Sequence, residues 1–200
     1  MFLDLVQFTQ MAGRMEAGEL VSLLDTFFNL LDEEAERHHV QKIKTIGDCY
    51  MCVCGIASSL ASQSELPMGP AAARSMVDFS LQALRIARQM ELQCRVGIHQ
   101  GPIVAGVIGL KRIAYDIWGD SVNVASRLES GSLAMRIQVS RTVMEACQEQ
   151  FELSALFFHI FSHSLFGAAL FLRPTNLLPH VSLRTFPVLS SPHVIQENSR

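Results

Sequence analysis

VQKIKTIGDCYMCVCGI, residues 40–56, decides the fold. Val40 to Ile46 and Tyr50 to Ile56 are short apolar runs on either side of Gly47-Asp48, the pattern of a β-hairpin. Asp48 stands at the lip of that turn, where a carboxylate is out of place unless it is used. Upstream, residues 1–6 read as another strand, and Phe2 and Leu3 lead to Asp4 within FLDLVQFT, residues 2–9. Two such strands lying side by side bring both carboxylates to one point at a sheet edge. Mg²⁺ takes one or two protein carboxylates plus phosphate oxygens, so Asp4 and Asp48 are candidate metal ligands on a nucleoside triphosphate. A solvated strand-end aspartate is the plain alternative for each residue taken alone.

Helical periodicity flanks these strands. From Glu19 to His39, apolar residues at 20, 23, 24, 27, 28, 30 and 31 recur mostly three or four apart, an amphipathic helix. Ala57 to Pro70 is rich in Ser, Ala, Pro and Gly and reads as a loop. Ala71 to Glu91 is a second amphipathic helix, with Met76, Phe79, Leu84, Ile86 and Ala87 toward the core. Cys94–His99 and Ile103–Ile108 are expected strands around a Gln100-Gly101-Pro102 turn. Ser121–Leu128 begins a helix, Ile137–Val139 is a short strand and Arg141–Gln150 a short helix. This interleaving predicts an α+β fold with a ferredoxin-like β-α-β-β-α-β core, a mainly antiparallel sheet and helices on one face.

The 200-residue chain is long enough for one domain with a real core. A net charge of −3 gives no overall basic surface and argues against nucleic acid as a partner. Cysteines 49, 52, 54, 94 and 147 show no zinc-finger pairing and read as small hydrophobes of a reducing compartment. The N-terminus lacks the basic and apolar regions of a signal peptide and starts almost inside a strand, which suggests a piece of a longer chain. From Glu152 the character changes. SALFFHIFSHSLFGAALFL, residues 154–172, is apolar without a period, and Pro and Ser are scattered after it. We expect a domain over 1–151 and a divergent tail over 152–200. A membrane segment at 154–172 is the alternative, and poor order is expected for 173–200.

Four segments stand in order at domain-scale spacing: FLDLVQFT, KIKTIGDCYM (42–51), RVGIHQGPIVAGVIG (95–109) and YDIWGDSVNVASRLES (115–130). Together they resemble the catalytic domain of class III nucleotidyl cyclases, the adenylyl and guanylyl cyclases. The resemblance runs from residue 1 to about 151. It implies a homodimer, or a heterodimer with another cyclase domain, whose sites are each built from both chains. It implies conversion of ATP to cyclic AMP and pyrophosphate with two Mg²⁺ or Mn²⁺ ions per site, and a cytoplasmic catalytic domain that can belong to a membrane-bound protein.

Residue by residue, the resemblance makes Asp4 and Asp48 the metal ligands. Lys44 and Asp116 stand at the purine-reading positions, where the guanylyl branch has Glu and Cys. Adenine offers an N6 donor and an N1 acceptor, so a carboxylate and a cation suit it, whereas an acceptor facing guanine O6 leaves polar groups unpaired. Asn123 and Arg127 lie four apart on one helix face. The resemblance makes Asn123 the residue that holds the ribose region and Arg127 the one that neutralises charge on the α-phosphate, which suits a permanent cation with several fixed donors. Backbone near Leu5–Thr9 and Ile43–Gly47 is expected close to the phosphates. Lys111 and Arg112 reach the β- and γ-phosphates, or form an exposed basic turn. His99 reads as structural.

One departure stands out. The family usually continues with a hairpin whose lysine contacts the triphosphate. Here the lysines are Lys42, Lys44 and Lys111, and none follows residue 111. A missing donor of this kind costs on the order of 2–4 kcal/mol of transition-state stabilisation. We therefore expect weak activity and a sheet that has lost its edge strands. A guanylyl cyclase and a catalytically impaired dimerisation partner stay open as alternatives.

Overall fold

The computed structural model describes residues 1–56, 67–111, 113–147, 152–156 and 169–173. The elements are β1 (Phe2–Leu5), α1 (Phe8–Ala12), α2 (Ala17–Arg37), β2 (Val40–Ile46), β3 (Cys49–Cys54), α3 (Pro70–Gln89), β4 (Cys94–Ile98), β5 (Val104–Ile108), β6 (Ala114–Trp118), α4 (Asp120–Ser130), β7 (Arg136–Val139), α5 (Arg141–Cys147), β8 (Glu152–Leu156) and β9 (Ala169–Arg173).

Among the described residues, seven strands form one sheet in the order β2-β3-β1-β4-β7-β9-β8. Its first four strands, with α2 and α3 as crossovers, are the expected ferredoxin-like core. The β2–β3 hairpin closes at Gly47-Asp48, with Ile46 opposite Cys49. Gly47 has φ +63, a conformation glycine adopts without the Cβ clash other residues meet. The pairs are antiparallel except β4–β7, which is parallel. The α+β class and the mainly antiparallel sheet thus hold.

Strand alternation splits the apolar residues between the two faces. Leu3, Leu5, Tyr50, Cys52, Val96 and Ile98 join Phe27, Leu31, Val77 and Phe79 of α2 and α3 in the main core. Each fully buried Leu or Phe there contributes roughly 1.5–3 kcal/mol. Phe2 and Met51 face the other way, onto Ala125 of α4 and Ile117 of β6. Helices therefore cover both faces rather than one, because α4 has its own apolar stripe of Val124, Ala125 and Leu128 to bury.

Two further differences separate the structure from expectation. Ala114–Trp118 is a strand, and it pairs with β5 as a separate two-stranded ribbon. Val104, Val107, Ile108, Leu110 and Ile113 of that ribbon are each at least 60% exposed. The expected loss of edge strands does not occur: β9 pairs with β7, and β8 with β9. Ser154 pairs with Phe171 and Leu156 with Ala169, so the two ends of the expected 154–172 membrane segment are antiparallel strands, and residues 157–168 lie outside the described residues. No helix of the described residues is long and apolar enough to cross a membrane. The expected poor order of the last residues falls, beyond Arg173, on 174–200, outside the described residues.

Candidate active site

Asp4 and Asp48 meet at the ends of central strands, not at a lateral edge of the sheet. β1 lies between β3 and β4, with Leu3 opposite Tyr50, which puts Asp4 beside the residues that follow the Gly47-Asp48 turn. Asp48 is pushed above the ordinary carboxylate range, first by burial and then by the Asp4 charge. Among the described residues Asp48 has no cationic partner. Two crowded carboxylates with a deficit of positive charge fit a divalent cation that draws its remaining ligands from phosphate and water. No group of three or more His, Cys, Asp or Glu side chains suited to a metal occurs among the described residues.

Asp4 alternates with Phe2 on the face covered by α4, and so does Arg95, opposite it on β4. Arg95 Nη2 donates to Asp4 Oδ2 at 2.8 Å. The same Nη2 lies 3.1 Å from Glu129 Oε1 of α4. That second contact is close but poorly aimed: Glu129 Oε1 and Arg95 Nε are both buried without a hydrogen-bond partner. Burial raises Glu129 above its ordinary range, the Arg95 charge pulls it back, and Asp4 pushes it up again. The helix reaches this position because Gly97, two residues along β4 on the same face, has no Cβ. A Cβ there would sit 2.1 Å from Glu129 N and 2.5 Å from Ala125 O.

Lys44 and Asp116 also meet. Lys44 Nζ donates to Asp116 Oδ2 at 2.5 Å, linking β2 of the main sheet to β6 of the ribbon. Asp116 Oδ1 accepts from the Ile117 backbone N–H at 2.9 Å. These two bonds, that from Lys44 first, lower the Asp116 carboxyl below its ordinary range.

Asn123 and Arg127 share an exposed face of α4. Among the described residues Arg127 forms no ion pair with Asp4, Asp48, Glu129 or Asp120, and the Asn123 amide makes no hydrogen bond to Asp4 or Asp48. Lys111 is exposed beyond β5, and Arg112 lies outside the described residues. The β1–α1 turn, expected near phosphate, holds Gln7 at φ 60, a left-handed conformation that costs a non-glycine residue roughly 1–2 kcal/mol. His99 is lowered by burial, and its Nδ1 has no partner. It lines a cavity of about 220 Å³ with Met51, Met76, Gly101 and Ser121 that touches none of the seven described residues among those assigned from the sequence. Arg95 and Glu129 escaped sequence reading, although Arg95 stands in RVGIH: alternation set its face, but nothing named the acid across from it.

The sequence profile of the adenylate and guanylate cyclase catalytic domain matches residues 1–157. An adenylate cyclase of Mycobacterium tuberculosis is 37% identical over 159 residues, 76% of this chain and 34% of that protein. A membrane guanylyl cyclase of Dictyostelium discoideum is 35% identical over 148 residues, 74% of this chain and 10% of that protein. The chain thus spans about a third or less of these relatives. Among solved structures, the catalytic core of a rhodopsin-guanylyl cyclase with converted specificity, in complex with ATPαS, superposes with TM-score 0.71 at 28% identity, covering 86% of this chain and 90% of that one.

Proposed function

Since the chain belongs to the adenylate and guanylate cyclase catalytic domain family, we propose that it is an adenylyl cyclase, forming cyclic AMP and pyrophosphate from ATP. The contact between Lys44 and Asp116 carries this reading. A cation and a carboxylate held side by side complement the N1 acceptor and N6 donor of adenine. Guanine presents O6 and N1–H instead, and a fixed acceptor opposite O6 leaves both unpaired in a desolvated site.

Asp4 and Asp48 hold the divalent cations, two per site. Bound there, Mg²⁺ or Mn²⁺ supplies charge neutralisation at the attacking 3′-oxygen and the leaving pyrophosphate. Asn123 orients the ribose so that the 3′-hydroxyl faces the α-phosphorus. Arg127 neutralises charge growing on the α-phosphate with fixed donors, and Lys111 with Arg112 serves the β- and γ-phosphates. Asn123 and Arg127 are exposed and unengaged with the carboxylates of their own chain, which supports a dimer in which they face Asp4 and Asp48 of a second copy or of another cyclase domain. The exposed apolar ribbon supports the same arrangement.

The purified dimer is expected to turn over ATP in preference to GTP with Mg²⁺ or Mn²⁺, and a preference for GTP overturns the base assignment. Activity is expected to be low, because no lysine follows Lys111. Replacing the chain after Glu152 with a cyclase hairpin carrying a lysine should raise it by about 10²-fold or more. That same lack supports the second reading, an impaired dimerisation partner, and an unmodified chain that is active, and as active as the repaired one, counts against both it and the tail's assigned effect.

A further inference from the structure

Arg95 faces two acids with one well-aimed hydrogen bond. Its Nη2 serves Asp4 at 2.8 Å, while Glu129, 3.1 Å away, receives no aligned hydrogen. Glu129 Oε1 and Arg95 Nε are left buried and unpaired. Orphan groups of this kind are rare in folded proteins and need a reason. An unpaired donor and an unpaired acceptor on two side chains that already approach to 3.1 Å are what an alternative pairing requires, since a rotation of the guanidinium toward α4 satisfies both. Gly97 locks α4 against β4, so Glu129 waits at a fixed place for that rotation.

We propose that Arg95 is an exchangeable counter-ion: it pairs with Asp4 while the carboxylates lack a cation, and passes to Glu129 when Asp4 takes a metal. This rests on the assignment of Asp4 and Asp48 as metal ligands. Glu129 is then a positioning residue. Without it, an Arg95 displaced from Asp4 becomes a half-buried cation with no partner, an expensive state, and the metal competes against that penalty.

Mn²⁺ binding to the nucleotide-free dimer, followed by electron paramagnetic resonance, tests the exchange. Glu129→Gln should bind Mn²⁺ about fivefold or more weakly than the wild type. Arg95→Gln should bind more tightly, because the competing cation is gone. Adding Glu129→Gln to Arg95→Gln should then cost little. A wild-type affinity in Glu129→Gln overturns the proposal, and so does a deficit that persists undiminished without Arg95, which would mark Glu129 as acting by its field alone. Asp48→Asn separates the two levels: if it leaves Mn²⁺ affinity unchanged, the metal assignment itself falls and the exchange with it. A second measurement needs no variant to fold. Titrating the wild-type chain with Mg²⁺ should shift the Arg95 Nε–H proton resonance downfield as it gains Glu129, and an unmoved resonance at saturation overturns the exchange.

Discussion

The Asp4–Arg95–Glu129 cluster and the Lys44–Asp116 pair both join residues far apart in sequence, yet they are built in opposite ways. The cluster lies inside the main sheet, under α4, and is unresolved: two acids share one cation and two polar atoms stay unpaired. The pair spans the main sheet and a ribbon outside it, and Asp116 is satisfied by both Lys44 and its neighbour's N–H. A network left incomplete stores a response to an incoming charge. A complete one stores a shape, to be matched by whatever base can replace its bonds. One half of the site is set by packing, the other by the placement of a ribbon that most of the core does not touch.

Removing the carboxylate half should have the largest effect. Asp4→Ala or Asp48→Ala is expected to lower cyclase activity by about 10³-fold or more, with the far-ultraviolet circular dichroism retained. Mixing Asp48→Ala chains with Arg127→Ala chains should restore one good site per heterodimer. Activity that survives both aspartate changes together would break the metal assignment, and mixtures that stay inactive would break the shared site.

Rewriting the Lys44–Asp116 half should change choice more than rate. Lys44→Glu with Asp116→Cys is expected to move the ATP-to-GTP ratio of kcat/KM by about 10²-fold toward GTP. An unchanged ratio would show that these residues do not read the base.

Two glycines sharpen the contrast in packing. Gly97→Ala drives a Cβ into the backbone of α4 and should cost about 1–3 kcal/mol of stability, read from urea unfolding. Gly106→Ala on the ribbon meets nothing closer than Trp118 at 3.6 Å and should stay within about 1 kcal/mol. Equal losses would mean the ribbon is packed as tightly as the sheet.

The smallest effect concerns charge. The Asp48 carboxyl is raised in the folded chain, so its ionised form weakens the fold once pH exceeds that raised value. Below the ordinary carboxylate range it is protonated in both states and the penalty is gone. Asp48→Asn, without metal, should therefore melt at a higher temperature than the wild type at neutral pH, with the gap closing as pH falls. A lower melting point at neutral pH would show that Asp48 is stabilised by its surroundings instead.

Much of this was legible in the residues. The hairpin around Gly47-Asp48 follows from turn chemistry, and α2 and α3 begin and end within two residues of their periodic patterns, because each buries one stripe. Asp4, Asp48, Lys44 and Asp116 could be singled out because charged groups interrupt strand-like runs. What covers a strand's second face was not legible. Alternation puts Arg95 opposite the main core but does not name α4 as its cover or Glu129 as its neighbour. Ala114–Trp118 is short and mixed, so its strand character depends on pairing with Val104–Ile108. The β8–β9 hairpin was hidden for a related reason: an apolar run without a period shows its pairing only once β7 offers an edge.

The central place of β1 carries a consequence for how the chain is made. Arg95 lies 91 residues after Asp4. At about 5–20 residues per second, it follows Asp4 out of the ribosome by roughly 5–18 s. Through that interval Phe2, Leu3 and Leu5, all buried in the finished protein, have β3 as a partner only from about the halfway point and β4 not at all. Closing such long loops is slow. A metal cannot organise the nascent chain, because its two carboxylates come together only after the strands beside them have docked. The carboxylate pair thus waits for β3, and nascent chains are most exposed to aggregation through the very strand that ends as the middle of the sheet.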